Sequence, residues 1–226
     1  MSKQRTLSSI TKKVIMSLAG LFLFTFLLVH LGINLFLLPL TENHKEIFEL
    51  AADFMSSNPV IKVFEIVLFG GFIIHIIYGL IVQFQNWASR GSEGYEVNSK
   101  TKTTISSQYM IHTGILVLLF LALHIYQFYF IKLGLNTSSF MDANGHPEFF
   151  NIAIDLFSTQ TAFSVIYIIS FIFLGFHLNH AFQSAFQSLG WEHPKYTPFI
   201  KAFGRIYAVV VPMGFIIIPL YFMIMK

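Results

Sequence analysis

Five apolar stretches, each long enough to cross a lipid bilayer, leave this chain little choice of fold. A hydrocarbon core about 30 Å thick takes roughly 20 residues of α-helix. The runs at about Val14–Leu38, Val60–Phe84, Ser107–Ile131, Gln160–Phe186 and Phe203–Met225 all reach that length. In lipid every backbone N–H and C=O needs a partner inside the protein, so runs of this kind fold as helices. The spacers carry helix breakers and charges: Pro39, Asn58-Pro59, Arg90-Gly91-Ser92-Glu93-Gly94, Asp142-Ala143-Asn144-Gly145-His146-Pro147 and His193-Pro194-Lys195. The expectation is an all-α integral membrane bundle of five transmembrane helices, forming one domain over residues 1–226. Pro212 and Pro219 fall inside the fifth run, where a membrane helix tolerates proline.

Composition agrees. Charged residues make up 11% of the chain, against about 25% in an ordinary soluble domain. A net charge of +3 gives no reason to expect nucleic acid. The first run is longer than a signal-peptide core of about 7–15 residues and no small-residue cleavage pattern follows it, so it is expected to stay as a helix. With no cysteine, the chain itself offers no disulfide, no thiolate for an iron–sulfur cluster or haem, and no covalent c-type attachment.

Charge placement sets the expected orientation. Lys3, Arg5, Lys12, Lys13, Arg90, Lys100, Lys102, Lys195, Lys201 and Arg205 fall on one side, and Lys45, Lys62, Lys132 and Lys226 on the other. The positive-inside rule then puts the N-terminus in the cytoplasm and the C-terminus outside. Trp87 and Trp191 follow the cytoplasmic ends of their helices, where interfacial indoles belong.

Against this apolar background stand His30, His75, His124 and His177, one deep in each of the first four runs. An ionisable side chain in a membrane segment is costly and marks function by default. One such histidine reads equally well as an interhelical hydrogen-bonding residue, but one on each of four helices asks for a common task. Proton relays and transporters usually add a buried carboxylate, and none lies near the middle of these helices. The pattern suits two haem b groups, each held by two histidines from different helices; metal transport through a histidine-lined pore is the competing reading.

Depth assigns the pairs. His30 is 17 residues from Lys13 and 12 from Glu42, and His124 is 22 from Lys102 and 8 from Lys132, so both lie nearer the outside. His177 is 15 residues from Glu192 and 22 from Asp155, nearer the inside; His75 is near the middle, 15 from Arg90 and 13 from Lys62. The expected axial ligands are therefore His30 with His124 for an outer haem and His75 with His177 for an inner one. Gly71 and Gly79 lie four residues either side of His75 and Ala181 four after His177, small neighbours that would admit a porphyrin. Phe26, Phe120 and Phe128 occupy the same offsets around His30 and His124, as lining for an apolar pocket. His180 shares a helix face with His177 but sits about 4.5 Å away in depth, so it is read either as a propionate partner or as a polar helix-end residue. His112 is read the same two ways, and His44, His146 and His193 as solvated loop residues.

Val29-His30-Leu31, Ile74-His75-Ile76-Ile77-Tyr78-Gly79, Leu123-His124-Ile125 and Phe176-His177-Leu178-Asn179 together resemble the five-helix, di-haem cytochrome b membrane anchor of succinate:quinone oxidoreductases, the succinate dehydrogenases and fumarate reductases. The likeness spans essentially the whole chain. Asn86-Trp87 and the loop to Tyr95 are similar to versions from Bacteroidetes-type bacteria. The resemblance implies a bacterial inner-membrane subunit of the respiratory chain and tricarboxylic acid cycle. It also implies two partners on the cytoplasmic face, a flavoprotein carrying FAD and the dicarboxylate chemistry, and an iron–sulfur protein. Electrons would run between that protein, the two haems and menaquinone. The family places a quinone-linked carboxylate near the outer start of helix two, where Glu65 stands; the plainer reading of Glu65 is an interfacial charge. Ser17 and Asn34 are lesser candidates for propionate or quinone contacts. A second family carboxylate, just before the helix-four ligand, is replaced here by Gly175 and apolar neighbours, so the proton path it serves is not expected. Haem subunits of hydrogenase or formate dehydrogenase type remain an alternative, against which the fifth helix argues.

Overall fold

The computed structural model describes residues 8–90 and 109–225. Lys3, Arg5, residues 91–94, Tyr95, Lys100, Lys102, Ser107 and Lys226, and the side chain of Arg90, lie outside the described residues. The described chain is all helix apart from turns and one isolated β-bridge between Met141 and Pro147. Seven helical elements run in order: α1 Ser9–Asn34, α2 His44–Ser57, α3 Pro59–Arg90, α4 Met110–Lys132, α5 Phe149–Thr159, α6 Thr161–Ser188 and α7 Thr197–Ile224. Five of them, all but α2 and α5, are long and apolar enough to cross a membrane, and they match the five expected runs.

Local chemistry sets the boundaries. Ser8 Oγ caps α1 by accepting from Thr11 N at 3.1 Å. A short 3₁₀ turn, Leu35–Leu37, tightens the other end before Pro39. Asn58 Oδ1 caps α3 by accepting from Val60 N at 2.9 Å, with Pro59 in the first helical position. Gly190, at φ 75°, closes α6: Trp191 N donates back to Phe186 O and Gly190 N to Gln187 O. α7 begins at Thr197, six residues before the expected Phe203, with Pro198 in its first turn.

Two spacers expected as loops are helices. α2 is amphipathic, burying Phe48, and α5 buries Phe150, Ile152, Ala153, Leu156 and Phe157. Both lie at one end of the bundle, called here the α2–α5 end. His44, expected to be solvated, opens α2; its Nδ1 contacts Phe36 O at 3.1 Å and its ring packs on Phe150. Ser164, fully buried, donates to Phe157 O at 2.9 Å and staples α5 to α6.

The long helices surround a gap. α3 packs on α1, α1 on α6, and α6 on α4, while the backbones of α3 and α4 scarcely meet. α7 packs along α6 and α1 from behind. That seam depends on bare backbone: Gly175 faces Ala208 O, so close that an added Cβ would lie 2.9 Å from it. Pro212 leaves the Ala208 carbonyl without its usual i+4 donor, and Gly175 is the residue that can approach it. Tyr207 OH donates to Phe24 O at 2.5 Å, tying α7 to α1. The outward faces stay apolar, with Ile66 74% and Val209 62% exposed, as a lipid-facing shell requires. The protein is a multi-pass membrane bundle.

Candidate functional site

The gap between the helices is a cavity of about 1510 Å³, larger than the roughly 300–1,000 Å³ of a usual small-molecule site. His30, His75, His124, His177 and His180 all line it. In the ring α3–α1–α6–α4, α1 stands diagonally across from α4, and α3 from α6. The histidines pair along these diagonals: His30 with His124 at 5.8 Å between ring centres, and His75 with His177 at 6.3 Å. His30 and His124 lie towards the α2–α5 end and the other pair towards the opposite end. His177, not His180, is the ring that faces His75.

Two imidazoles bound on opposite sides of one metal, each at about 2 Å, have ring centres roughly 6 Å apart. Ordinary edge-to-face packing spans about 4.5–7 Å, so spacing alone does not discriminate. The tautomers do. Tyr167 OH donates to Gln127 Oε1 at 2.8 Å, so its oxygen has only lone pairs to offer His124 Nδ1, 3.3 Å away. Thr113 Oγ1 donates to Met110 O at 2.9 Å, and the same logic applies to His177 Nδ1 at 3.5 Å. Met16 O, an obligate acceptor, lies 3.3 Å from His75 Nδ1. Three rings are thus held with the proton on Nδ1, the form that leaves the Nε2 lone pair for a metal. His30 is held differently: Asn34 Nδ2 is 3.4 Å from its Nδ1 but donates to His30 O at 2.8 Å.

The surroundings also fix the rings. Phe26 stacks on His30, Phe120 stacks on His124, and Phe128 lies 5.1 Å from His124. Of the small residues expected beside the second pair, Gly79 and Ala181 line the cavity and Gly71 does not, and two others approach the rings more closely. Gly71 and Gly79 face Phe22 and Met16 of α1, whereas Gly20 lies against His75 and Gly114 against His177. A Cβ on Gly20 would lie 3.2 Å from His75 Cε1, and one on Gly114 3.4 Å from His177 Cε1. Among the described residues no three His, Cys, Asp or Glu side chains gather as a metal-binding group. The histidines stand in twos, which suits an iron held in a macrocycle needing two axial donors. A bare divalent ion such as zinc needs about four donors.

Ser17 is buried on the cavity wall, and Asn34, Ala181 and Ser184 also line it. His112 does not: it is exposed, off the cavity, and beside Tyr109, and the polar residue facing inward there is Thr113. Of the two readings of His112, this placement fits the polar helix-end residue. Glu65 lines the cavity at the α2–α5 end, bound to Lys132 Nζ at 2.5 Å and accepting from Tyr129 OH. Sequence reasoning named Glu65 without these partners, and missed Thr113, Tyr167, Gln127, Gly20 and Gly114 altogether. Polarity inside apolar runs was the available signal for Thr113, Gln127 and Tyr129.

Fold and site together define a five-helix membrane bundle whose core cavity carries two facing histidine pairs at two levels. No protein-family model, no curated protein and no solved structure matches the chain.

Proposed function

We propose that this protein is the di-haem b membrane anchor of a succinate:quinone oxidoreductase, a succinate dehydrogenase or a quinol:fumarate reductase. His30 and His124 would hold one haem iron and His75 and His177 the other. One observation carries the reading: two facing histidine pairs in a single cavity, with an accepting oxygen beside Nδ1 of three of the four rings, which favours the tautomer that frees Nε2 for a metal. Bound there, each haem supplies a one-electron carrier.

The chain's own part is to hold these rings dry, aligned and at two depths. The Nδ1 acceptors raise ligand basicity and fix ring rotation. Apolar walls exclude water and help set potential. The basic N-terminal side and fourth spacer support a cytoplasmic N-terminus, and the family resemblance supports a bacterial inner membrane. On that face an iron–sulfur subunit, bridging to a FAD-carrying flavoprotein that holds the dicarboxylate site, would dock near His75 and His177. Menaquinone would react at the opposite end, near His30, His124 and Glu65.

An optical spectrum of the purified complex tests this. Reduced-minus-oxidised difference spectra will show a b-type α-band with two haems per chain. His75→Ala or His177→Ala will remove one haem and leave the other; His30→Ala or His124→Ala will remove the complementary one. Protein without haem ends the reading, and purification without flavoprotein and iron–sulfur partners ends the succinate/fumarate assignment.

A further inference from the structure

The described chain has one strong ion pair inside its apolar region. Lys132 Nζ bonds Glu65 Oε2 at 2.5 Å, and Tyr129 OH donates to Oε1 of the same carboxylate. Both oxygens of Glu65 are thus engaged from α4 across the seam where α3 and α4 otherwise scarcely meet. Phe69 packs on Tyr129 at 4.8 Å, and all four residues line the cavity. The side chains of Glu65 and Lys132 are only 21–24% exposed. An ion pair open to solvent contributes little to stability, so a tie of this kind is a weak device for stability alone. It is a strong device for fixing a carboxylate's position and charge.

Register supports a specific purpose. Ile125–Tyr129, directly after His124, is a π-helical turn. In a straight α-helix, at about 100° per residue, Tyr129 would point roughly 140° away from His124 and Lys132 about 80° away. One extra residue taken up by the π turn brings these to roughly 40° and 20°. The bulge puts the Glu65 partners on the same wall as the histidine.

From this we propose that Lys132 and Tyr129 are positioning residues for proton exchange between Glu65 and a membrane quinone, holding Glu65 as an anion against the cavity of the His30–His124 pair. The inference rests on the quinone-linked reading above. In quinol oxidation a quinol O–H bond breaks and its proton goes to a Glu65 oxygen. The electrons leave singly to the complex's redox chain, which is the oxidant; the second proton goes to solvent at the α2–α5 end. Protonated Glu65 no longer pairs with Lys132, so the carboxyl is released to pass its proton outward. Quinone reduction runs the same steps in reverse.

The test uses the whole complex carrying Lys132→Met, Lys132→Arg, Tyr129→Phe, Glu65→Gln or the exchange Glu65→Lys with Lys132→Glu. Three quantities are measured: haem content by difference spectrum, turnover with a short-chain menaquinol, and the Glu65 carboxylate band in redox infrared difference spectra, assigned by its loss in Glu65→Gln. Lys132→Met is expected to keep both haems, lose at least tenfold in kcat with less than threefold change in KM, and move the Glu65 band to the protonated-carboxyl region. Lys132→Arg restores turnover and band, and Tyr129→Phe loses about threefold in kcat. The exchanged pair keeps the helix tie and stays inactive. Unchanged kcat and band in Lys132→Met overturn the proposal, as does recovery of turnover in the exchanged pair, which marks a purely structural bridge. Should Lys132→Met lose haem, Tyr129→Phe decides, and unchanged kcat there overturns the proposal. Wild-type complex without haem overturns the underlying reading instead, so the two failures are distinct.

Discussion

At the scale of single residues, each histidine is only as useful as the groups that hold its ring. Three of them are fixed by an oxygen that can only accept, and two of those oxygens are made so by a second hydrogen bond, Tyr167 to Gln127 and Thr113 to Met110. Glycine does the same work by shape. Gly20 of α1 lets the His75 ring lie directly against backbone, and an alanine Cβ there, 3.2 Å from Cε1, would force the imidazole to shift by a few tenths of an ångström. Valine adds two further methyls in the same space, and overpacking a tight site costs about 1–3 kcal/mol. Gly20→Val is therefore expected to displace His75 and, on the proposed di-haem reading, to remove the haem of the His75–His177 pair while sparing the other. Gly71→Ala, which meets Phe22 instead, is expected to leave both haems in place; difference spectra of the two variants check this. The histidines themselves were legible in the sequence because an imidazole in an apolar run is conspicuous. Gly20, Thr113 and Tyr167 were not, because small and hydroxylated residues are common in membrane helices. Their role depends on which distant helix they face, which no local spacing reveals.

At the scale of elements, the long helices were legible because about 20 apolar residues have only one outcome in lipid, and Asn58-Pro59 and Pro39 fall at helix ends as their chemistry demands. α2 was hidden by its charges: Lys45, Glu46, Glu49 and Asp53 read as a polar spacer, although the buried Phe48 anchors it to the bundle. α5 was hidden by its length, 11 residues, too short to span. The π turn in α4 was hidden more deeply, since one extra residue per turn leaves the run just as apolar. Its geometry makes a sharp prediction. A π turn is one residue inserted into an α-helix, with the flanks kept in register. Deleting Tyr126, which points outward at 54% exposure, is expected to restore a straight helix in which Tyr129 lies four residues after His124, still on its wall. On the proposed reading, haem content and quinol turnover will then stay within about threefold of the parent. Deleting a residue from the straight part of α4, such as exposed Leu119, has no insertion to absorb it. It rotates Met110–Leu118 by about 100° against the rest, turns Thr113 and Gly114 from His177, and costs the haem of the His75–His177 pair.

At the scale of the whole molecule, the cavity is a structural problem as well as a binding site. α3 is joined to α1, and α4 to α6, but across the seam the described side-chain contacts are the Glu65 bridge and the Phe69–Tyr129 ring contact. A gap of about 1510 Å³ along the bundle axis forfeits the packing that α3 and α4 would otherwise share. Filling it with two rigid, apolar macrocycles, each joined to opposite helices through histidine, would replace the missing core and cross-link both diagonals of the four-helix ring. Any group that binds only the folded state stabilises it by about 2.7 kcal/mol at a hundredfold excess over Kd. For a chain of this size each kcal/mol moves the melting temperature by about 2–4 °C. Protein produced in a host unable to make haem is therefore expected to melt at least about 10 °C below the loaded protein in the same detergent. The His75→Ala variant, keeping one haem, will fall between them. Removing the Glu65 bridge in the haem-free protein should then cost more than in the loaded one, because there no macrocycle shares the seam with it. If loaded and haem-free protein melt together, the two halves of the bundle hold each other without the macrocycles, and the cavity is not the site of the molecule's missing core.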